Sequence, residues 1–215
     1  HEVNNLAGDP QYVDVLKDLR GRLATQLREL PDLSFYPESK LIGIMHDPVG
    51  FGQKHKANIA RMADIADLTL LPFSEAKLKL AAALKSEDVW LRYSAAMACS
   101  AIGKDAASLA PVAMPLLKDE SLVVRIRAAE FVGLTTTLDP QPILVRIVNE
   151  TSSPVEAAEA LNSIVYFRDC HQHPYPIDAS SLHPKSSGDS VTRRIAYLNG
   201  KSDKKPSPKK KRGKQ

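Results

Sequence analysis

The sequence predicts an all-α chain of stacked antiparallel helix pairs, an α-solenoid. Residues 84–96, LKSEDVWLRYSAA, recur 33 residues later as 117–129, LKDESLVVRIRAA. Leu, Lys, Glu, Arg and the Ala-Ala pair are identical at that offset, and Val89/Leu122 and Leu91/Val124 are kept in kind. A fixed period of this length marks a repeat array, whose units bury their apolar faces only by stacking. From about residue 58 onward apolar residues recur at helical spacing, and the links between such segments are short, as antiparallel neighbours need. Composition agrees: 43% of the residues are apolar but only 6% aromatic, which suits helices packed through Ala and Leu.

The elements follow in order. Asp9-Pro10 reads as an N-cap followed by proline at the first helical position. Leu16, Leu19, Leu23, Leu27 and Leu30 then step by three and four, so a helix is expected over about 10–30, ended by Pro31. Nothing nearby in the sequence accepts this leucine stripe. Residues 31–57 have poor periodicity and read as an ordered connector with a short strand or turn at 40–45. Asn58 is expected to cap a helix with Ile59, Met62, Ala63, Ala66 and Leu70 inward. Ser74 caps a second, with Leu78, Ala81, Ala82 and Leu84 inward. Ser86 or Asp88 opens a third, with Leu91, Ala95, Cys99 and Ile102, closed by Gly103. A fourth, around Leu109 to Leu117, contains Pro111 and Pro115, which kink a helix. Ser121 opens a fifth, with Val124, Ala128, Phe131 and Leu134. Ile143, Leu144, Ile147 and Val148 mark a sixth, and Ser153-Pro154 opens a seventh, with Ala158, Leu161 and Val165. Helix pairs are therefore expected at 74–85 with 88–102, 106–118 with 121–134, and 141–150 with 154–167. Residues 191–199 read as a short terminal helix or strand.

The phrases Asp88-(x)2-Leu91-Arg92-(x)2-Ala95-Ala96 and Ser121-(x)2-Val124-Arg125-(x)2-Ala128-Ala129 resemble HEAT repeats. Proline in the first helix of a unit is also HEAT-like, whereas the third unit, Pro154-Val155-Glu156-Ala157-Ala158, lacks the matching Arg. Paired alanines let helices approach closely. Arg92 and Arg125 are expected to lie at an inter-helix ridge, bonding carboxylates or carbonyls of the adjacent unit. They read as structural staples, not ligand-binding groups, and removing Arg125 should cost about 1–3 kcal/mol if it is buried and bonded.

Charge is unevenly placed. The chain carries +4 overall, but residues 201–215 hold eight Lys/Arg against one Asp, leaving the first 200 residues at −3. That tail has no apolar residue to bury and is expected to be disordered. Its Pro208-Lys-Lys-Lys-Arg212 string resembles a nuclear localisation signal and could equally touch nucleic acid, anionic lipid or a sulfated polysaccharide, but it reads first as a solvated electrostatic tail. No aromatic residues interleave it for base stacking, which speaks against nucleic acid. Two cysteines, Cys99 and Cys170, make neither a disulfide framework nor a zinc quartet. His46-Asp47 reads as a loop pair beside Pro48. Cys170, His171, His173 and His183 lack the paired spacing of a metal site, and no apolar run approaches a membrane span. The chain opens on His1 with no signal-peptide pattern and is expected to begin mid-protein.

Residues 1–30 carry a second resemblance. Glu2, Asn4, Asn5, Leu6, Ala7, Asp9, Pro10 and Tyr12, followed by the amphipathic stripe, are similar to the closing segment of sulfatases of the arylsulfatase/sulfamidase type. Some bacterial members continue through a connector like Leu33-Ser-Phe-Tyr-Pro-Glu-Ser39 into HEAT-like helices. The resemblance implies that the first helix docks on an α/β body, and that the parent hydrolyses a sulfate ester with a calcium-bound formylglycine. The family's Cys/Ser-x-Pro/Ala-x-Arg motif matches neither Cys99 nor Cys170, so no catalytic, cofactor or metal residue is carried over. Five segments result: 1–30 closing the sulfatase-like domain, 31–57 connector, 58–170 repeats, 171–200 irregular terminal segment, and 201–215 basic tail. The expected function is a non-catalytic accessory domain of a carbohydrate sulfatase, with the upstream domain in cis as partner and export as the implied location. The alternative is a HEAT-type scaffold binding protein or a polyanion. The repeat residues Asp88, Arg92, Ala95, Ala96, Arg125, Ala128 and Ala129 are the positions singled out.

Overall fold

A computed structural model describes residues 4–169 and 175–200. It is helical throughout, with no strand among the described residues. The chain divides into two compact units, 1–112 and 113–215. That boundary falls inside the stretch read as one array, beside the two prolines of the fourth helical segment.

In the first unit, Asp9 Oδ1 accepts from Gln11 N at 2.9 Å and opens a 3-10 turn that runs into α1 (Val13–Glu29). Leu30 is extended before Pro31, as a residue preceding proline tends to be. The connector is more regular than expected. It holds a 3-10 turn (Leu33–Phe35), α2 (Glu38–Ile44) and α3 (Pro48–Lys54). Residues 40–45, expected as a strand or turn, are mostly helical and belong to α2, which follows Pro37; α3 opens on Asp-Pro, Asp47 accepting from Gly50 N at 2.9 Å with Pro48 in the first turn. A Cβ at Gly50 would lie 2.1 Å from Asp47 Oδ2, so a larger residue there would displace the capping carboxylate.

Next come α4 (Lys56–Asp67), α5 (Phe73–Leu84) and α6 (Val89–Ile102). The cap of α4 is His55, not Asn58. Ile59, Met62 and Ala63 are buried as expected, but Ala66 and Leu70 face outward and Ile65 and Leu68 are buried instead. In α5 the core ridge is Ala76, Leu80 and Leu84, and Leu78, expected inward, is 81% exposed. Alanines suit core and surface alike, so the register of an Ala-rich helix is weakly written in its pattern. The four-residue link 85–88 returns α6 along α5. Gly103 ends α6 at φ 70°, a conformation glycine adopts without strain. A 3-10 segment (Gly103–Leu109) and a single turn, α7 (Ala110–Ala113), follow.

The second unit contains a 3-10 segment (Met114–Lys118), α8 (Leu122–Thr135), α9 (Gln141–Glu150), α10 (Pro154–Asp169) and α11 (Asp189–Leu198). Of the fourth expected helix only α7 is α-helical; with Pro111 and Pro115 lacking amide hydrogens, the flanking turns are 3-10. The core of this unit gathers Ile126, Leu144, Ile147, Leu161, Ile164 and Phe167. The terminal segment left open as helix or strand is helical, and α11 packs on α10 with Val191 and Leu198 buried. Tyr175 is tied back by Gln141 Nε2, which donates to its carbonyl at 3.1 Å. Cys170, His171 and His173 lie outside the described residues, as does the basic tail.

Candidate functional site

The repeat positions are interior. Ala95 and Ala96 of α6 and Ala128 and Ala129 of α8 are fully buried, which permits close helix approach in each unit. Asp88 is the N-cap of α6, its Oδ1 accepting from Trp90 N at 2.9 Å, and its other oxygen lies 4.0 Å from Arg61. Arg92 is only 9% exposed, and its Nη1 donates to the carbonyls of Ser86 at 2.9 Å and Glu87 at 2.8 Å. Those carbonyls belong to the turn joining α5 to α6, so the guanidinium fastens the helix pair at its corner. At the equivalent place in α8, the Nε of Arg125 is buried without a hydrogen-bond partner among the described residues.

Other reactive residues are equally quiet. Cys99 is fully buried, and burial pushes its thiol up to about 12, so it stays protonated. Asp47 is engaged as a helix cap and His46 is exposed beside it. The backbone amide of His183 donates to Asn149 Oδ1 at 2.6 Å, fixing the strap between α10 and α11. Among the described residues no group of three or more His, Cys, Asp and Glu is placed to hold a metal ion. No helix among them is long and apolar enough to cross a membrane.

Surfaces are the more informative features. On α1, Leu16, Ala24 and Leu27 are half-buried and the helix packs on α4, where Arg28 pairs with Asp64. The neighbouring stripe, Tyr12, Val15, Leu19, Leu23 and Leu30, points outward, with Leu19 at 56%, Leu23 at 57% and Leu30 at 65% exposure. No residue of α1 is buried. Isolated exposed leucines are ordinary, but a row at helical spacing is not. The apolar stripe predicted from spacing therefore spans two faces, one against α4 and one open.

Two features were not anticipated. The first is an aromatic cluster that anchors the connector to the repeat. The Tyr36 ring meets Trp90 at 5.0 Å and Phe51 at 5.5 Å, both edge-on, while Lys40 Nζ lies 5.4 Å from the Phe51 centroid and 5.8 Å from that of Trp90. Burial raises the Tyr36 phenol above its ordinary value. The density of aromatics in 31–57 was the available signal. The second is a groove of about 370 Å³ walled by Phe35, Met62, Ala66, Met97, Ala98 and Ala101. Hydroxyls of Ser34, Thr69 and Ser94 also line it. It could not be read from sequence, because half its lining comes from the connector and the end of α4.

Residues 78–164 match the family model described as HEAT repeats. The chain carries a HEAT-like helical domain. The matched HEAT segment runs from the second half of α5 through α6, α7, α8 and α9 to most of α10, including both Arg-(x)2-Ala-Ala phrases. No curated protein and no solved structure matches the chain.

Proposed function

We propose that the chain is a non-catalytic helical scaffold, the accessory part of a sulfatase-type enzyme acting on sulfated carbohydrate. The open leucine face of α1 carries this reading. A helix that leaves Tyr12, Val15, Leu19, Leu23 and Leu30 in water gains little of the burial that stabilises helices, each such side chain forgoing about 1.5–3 kcal/mol. A sulfatase-like α/β body in cis would cover it. The Glu2-(x)-Asn4-Asn5-Leu6-Ala7 phrase with Asp9-Pro10, ahead of that helix, supports the same assignment by its resemblance to the family's closing segment. The interior placement of Arg92 and the paired alanines supports a bracing role over a chemical one. Calcium and formylglycine belong, in this reading, to the parent's catalytic domain.

The test is made in the longer protein. Leu19→Asp with Leu23→Asp should lower its thermal midpoint and its sulfatase activity together, while the 215-residue chain alone keeps its own midpoint. Unchanged behaviour of the longer protein refutes the docking. The eight Lys/Arg of residues 201–215 favour a second reading, a scaffold that captures a polyanion. It predicts salt-sensitive retention on heparin that deletion of 201–215 abolishes; retention unchanged by the deletion refutes it.

A further inference from the structure

The repeat geometry continues past α10. A strap over residues 175–188 is tied to α9, and α11 packs along α10. Asn149 of α9 donates its side-chain amide to Ser181 O at 2.9 Å and accepts from His183 N at 2.6 Å. On α10, Asn162 accepts from Arg194, Arg168 Nη1 donates to Leu198 O at 3.2 Å, and Asp169 Oδ2 accepts from the Tyr197 hydroxyl at 2.8 Å. Pro154, at the start of α10, stands beside Gly188, where an added Cβ would lie 3.2 Å from the Pro154 Cβ. Start therefore meets start and end meets end, so α11 runs parallel to α10. The hydrogen-bonded partners are 28 to 34 residues apart, around the 33-residue repeat offset. The bond from Ser163 of α10 to Glu130 of α8 spans 33 residues in the same sense. At 100° per residue, Ser163 and Phe167 face α8, while Asn162, Val165 and Asp169 lie on the opposite side of α10.

Thus α11 stands where the second helix of a next unit would stand, and the strap replaces the first. We infer that residues 175–198 are a degenerate fourth repeat, which closes the array and keeps its last face from stacking on a second copy of this chain. The inner side is apolar: Leu182, Val191 and Leu198 are buried in the core of α8–α10. The outer side is polar, with Thr192, Arg193 and Tyr197 exposed and Arg193 paired to Asp189 at 2.7 Å. A terminal unit needs this combination, because its outer face has no neighbour. Uncovered, the same patch on two copies would pair face to face, the isologous arrangement of most dimers. The closure is lightly seated: α11 buries two residues where α10 buries seven, so it is the part of this unit that opens first. The inference is independent of what the repeats brace.

The experiment compares the full 215-residue chain with a Val191→Asp, Leu198→Asp variant by hydrogen exchange and sedimentation. In the wild type, amides of 189–198 are expected to exchange at least about tenfold faster than those of 122–169. The double variant should lose protection in 175–198, keep it in 122–169, and sediment at twice the wild-type mass. Adding Val165→Lys charges the uncovered side of α10 and should restore the wild-type mass, since two copies would oppose like charges. Asn149→Ala removes both strap bonds and should speed exchange of 189–198 by about tenfold without changing α8. The inference is overturned by protection lost throughout 122–169, by an unchanged mass, by a dimer that survives Val165→Lys, or by Asn149→Ala leaving 189–198 unchanged.

Discussion

At Arg92 one guanidinium nitrogen holds two main-chain carbonyls, those of Ser86 and Glu87. Charge-assisted bonds of this kind leave buried acceptors stranded when the donor is removed. Arg92→Ala should therefore lower unfolding free energy by about 1–3 kcal/mol, read from urea midpoints. Arg125 has the same repeat position, but its buried Nε lacks a partner among the described residues. Arg125→Ala should cost less than Arg92→Ala; an equal or larger loss would show that the motif position, not the observed bonds, sets the energy. Cys99 makes a pH prediction. Its thiol is raised by desolvation from 9.0 to about 12. The unfolded chain thus releases this proton first, so the stabilising contribution is intact below pH 9 and is lost as pH rises through 9 to 12. In a Cys170→Ser background, alkylation at about pH 8 should be slower by about 100-fold in native than in urea-unfolded protein; comparable rates would contradict the burial.

Element by element, the helices of the repeats were legible, and so was register in α6 and α8 but not in α4 and α5. The caps at Asp9-Pro10, Asp88 and Gly103 were readable because each satisfies a specific backbone need, whereas Asn58 and Ser74, expected as caps, lie inside α4 and α5, whose N-caps are His55 and Pro72. Leu78 was misplaced because the alanines around it leave the apolar stripe undetermined, and the connector helices were missed because seven-residue helices show too few turns for a period. Gly133 was also unmarked in sequence. In α8 its missing Cβ admits Pro140, whose Cγ would be 2.7 Å away, and Phe167 of α10, whose Cζ would be 2.9 Å away. Alanine is worth about 1 kcal/mol more than glycine inside a helix, so propensity alone predicts stabilisation by Gly133→Ala. The clash with a ring and an aromatic edge outweighs it, and a net loss of about 1–3 kcal/mol is expected from chemical denaturation. A stabilised variant would mean that Pro140 and Phe167 yield freely. On α1 the expectation is reversed. Leu19→Ser and Leu23→Ser in the isolated chain should each change stability by less than about 0.5 kcal/mol, as at exposed sites; a larger loss would show that this face is already covered.

For the molecule as a whole, the repeat class was legible in the sequence. Two phrases at one offset were enough to announce HEAT-type units, and residues 78–164 match that family. The candidate groove stayed hidden because it is assembled from the 3-10 turn at Leu33–Phe35, the end of α4 and one face of α6. The α1 face was foreseen in part: its stripe was found, but which leucines would meet α4 depends on tertiary packing. The central claim is that a scaffold of this kind braces a sulfatase, and it is tested most directly by peptide mass spectrometry of the native protein in which these residues occur. The account predicts a Cys/Ser-x-Pro/Ala-x-Arg peptide upstream of residue 1 whose Cys or Ser has become formylglycine. A native protein with no such peptide would contradict it.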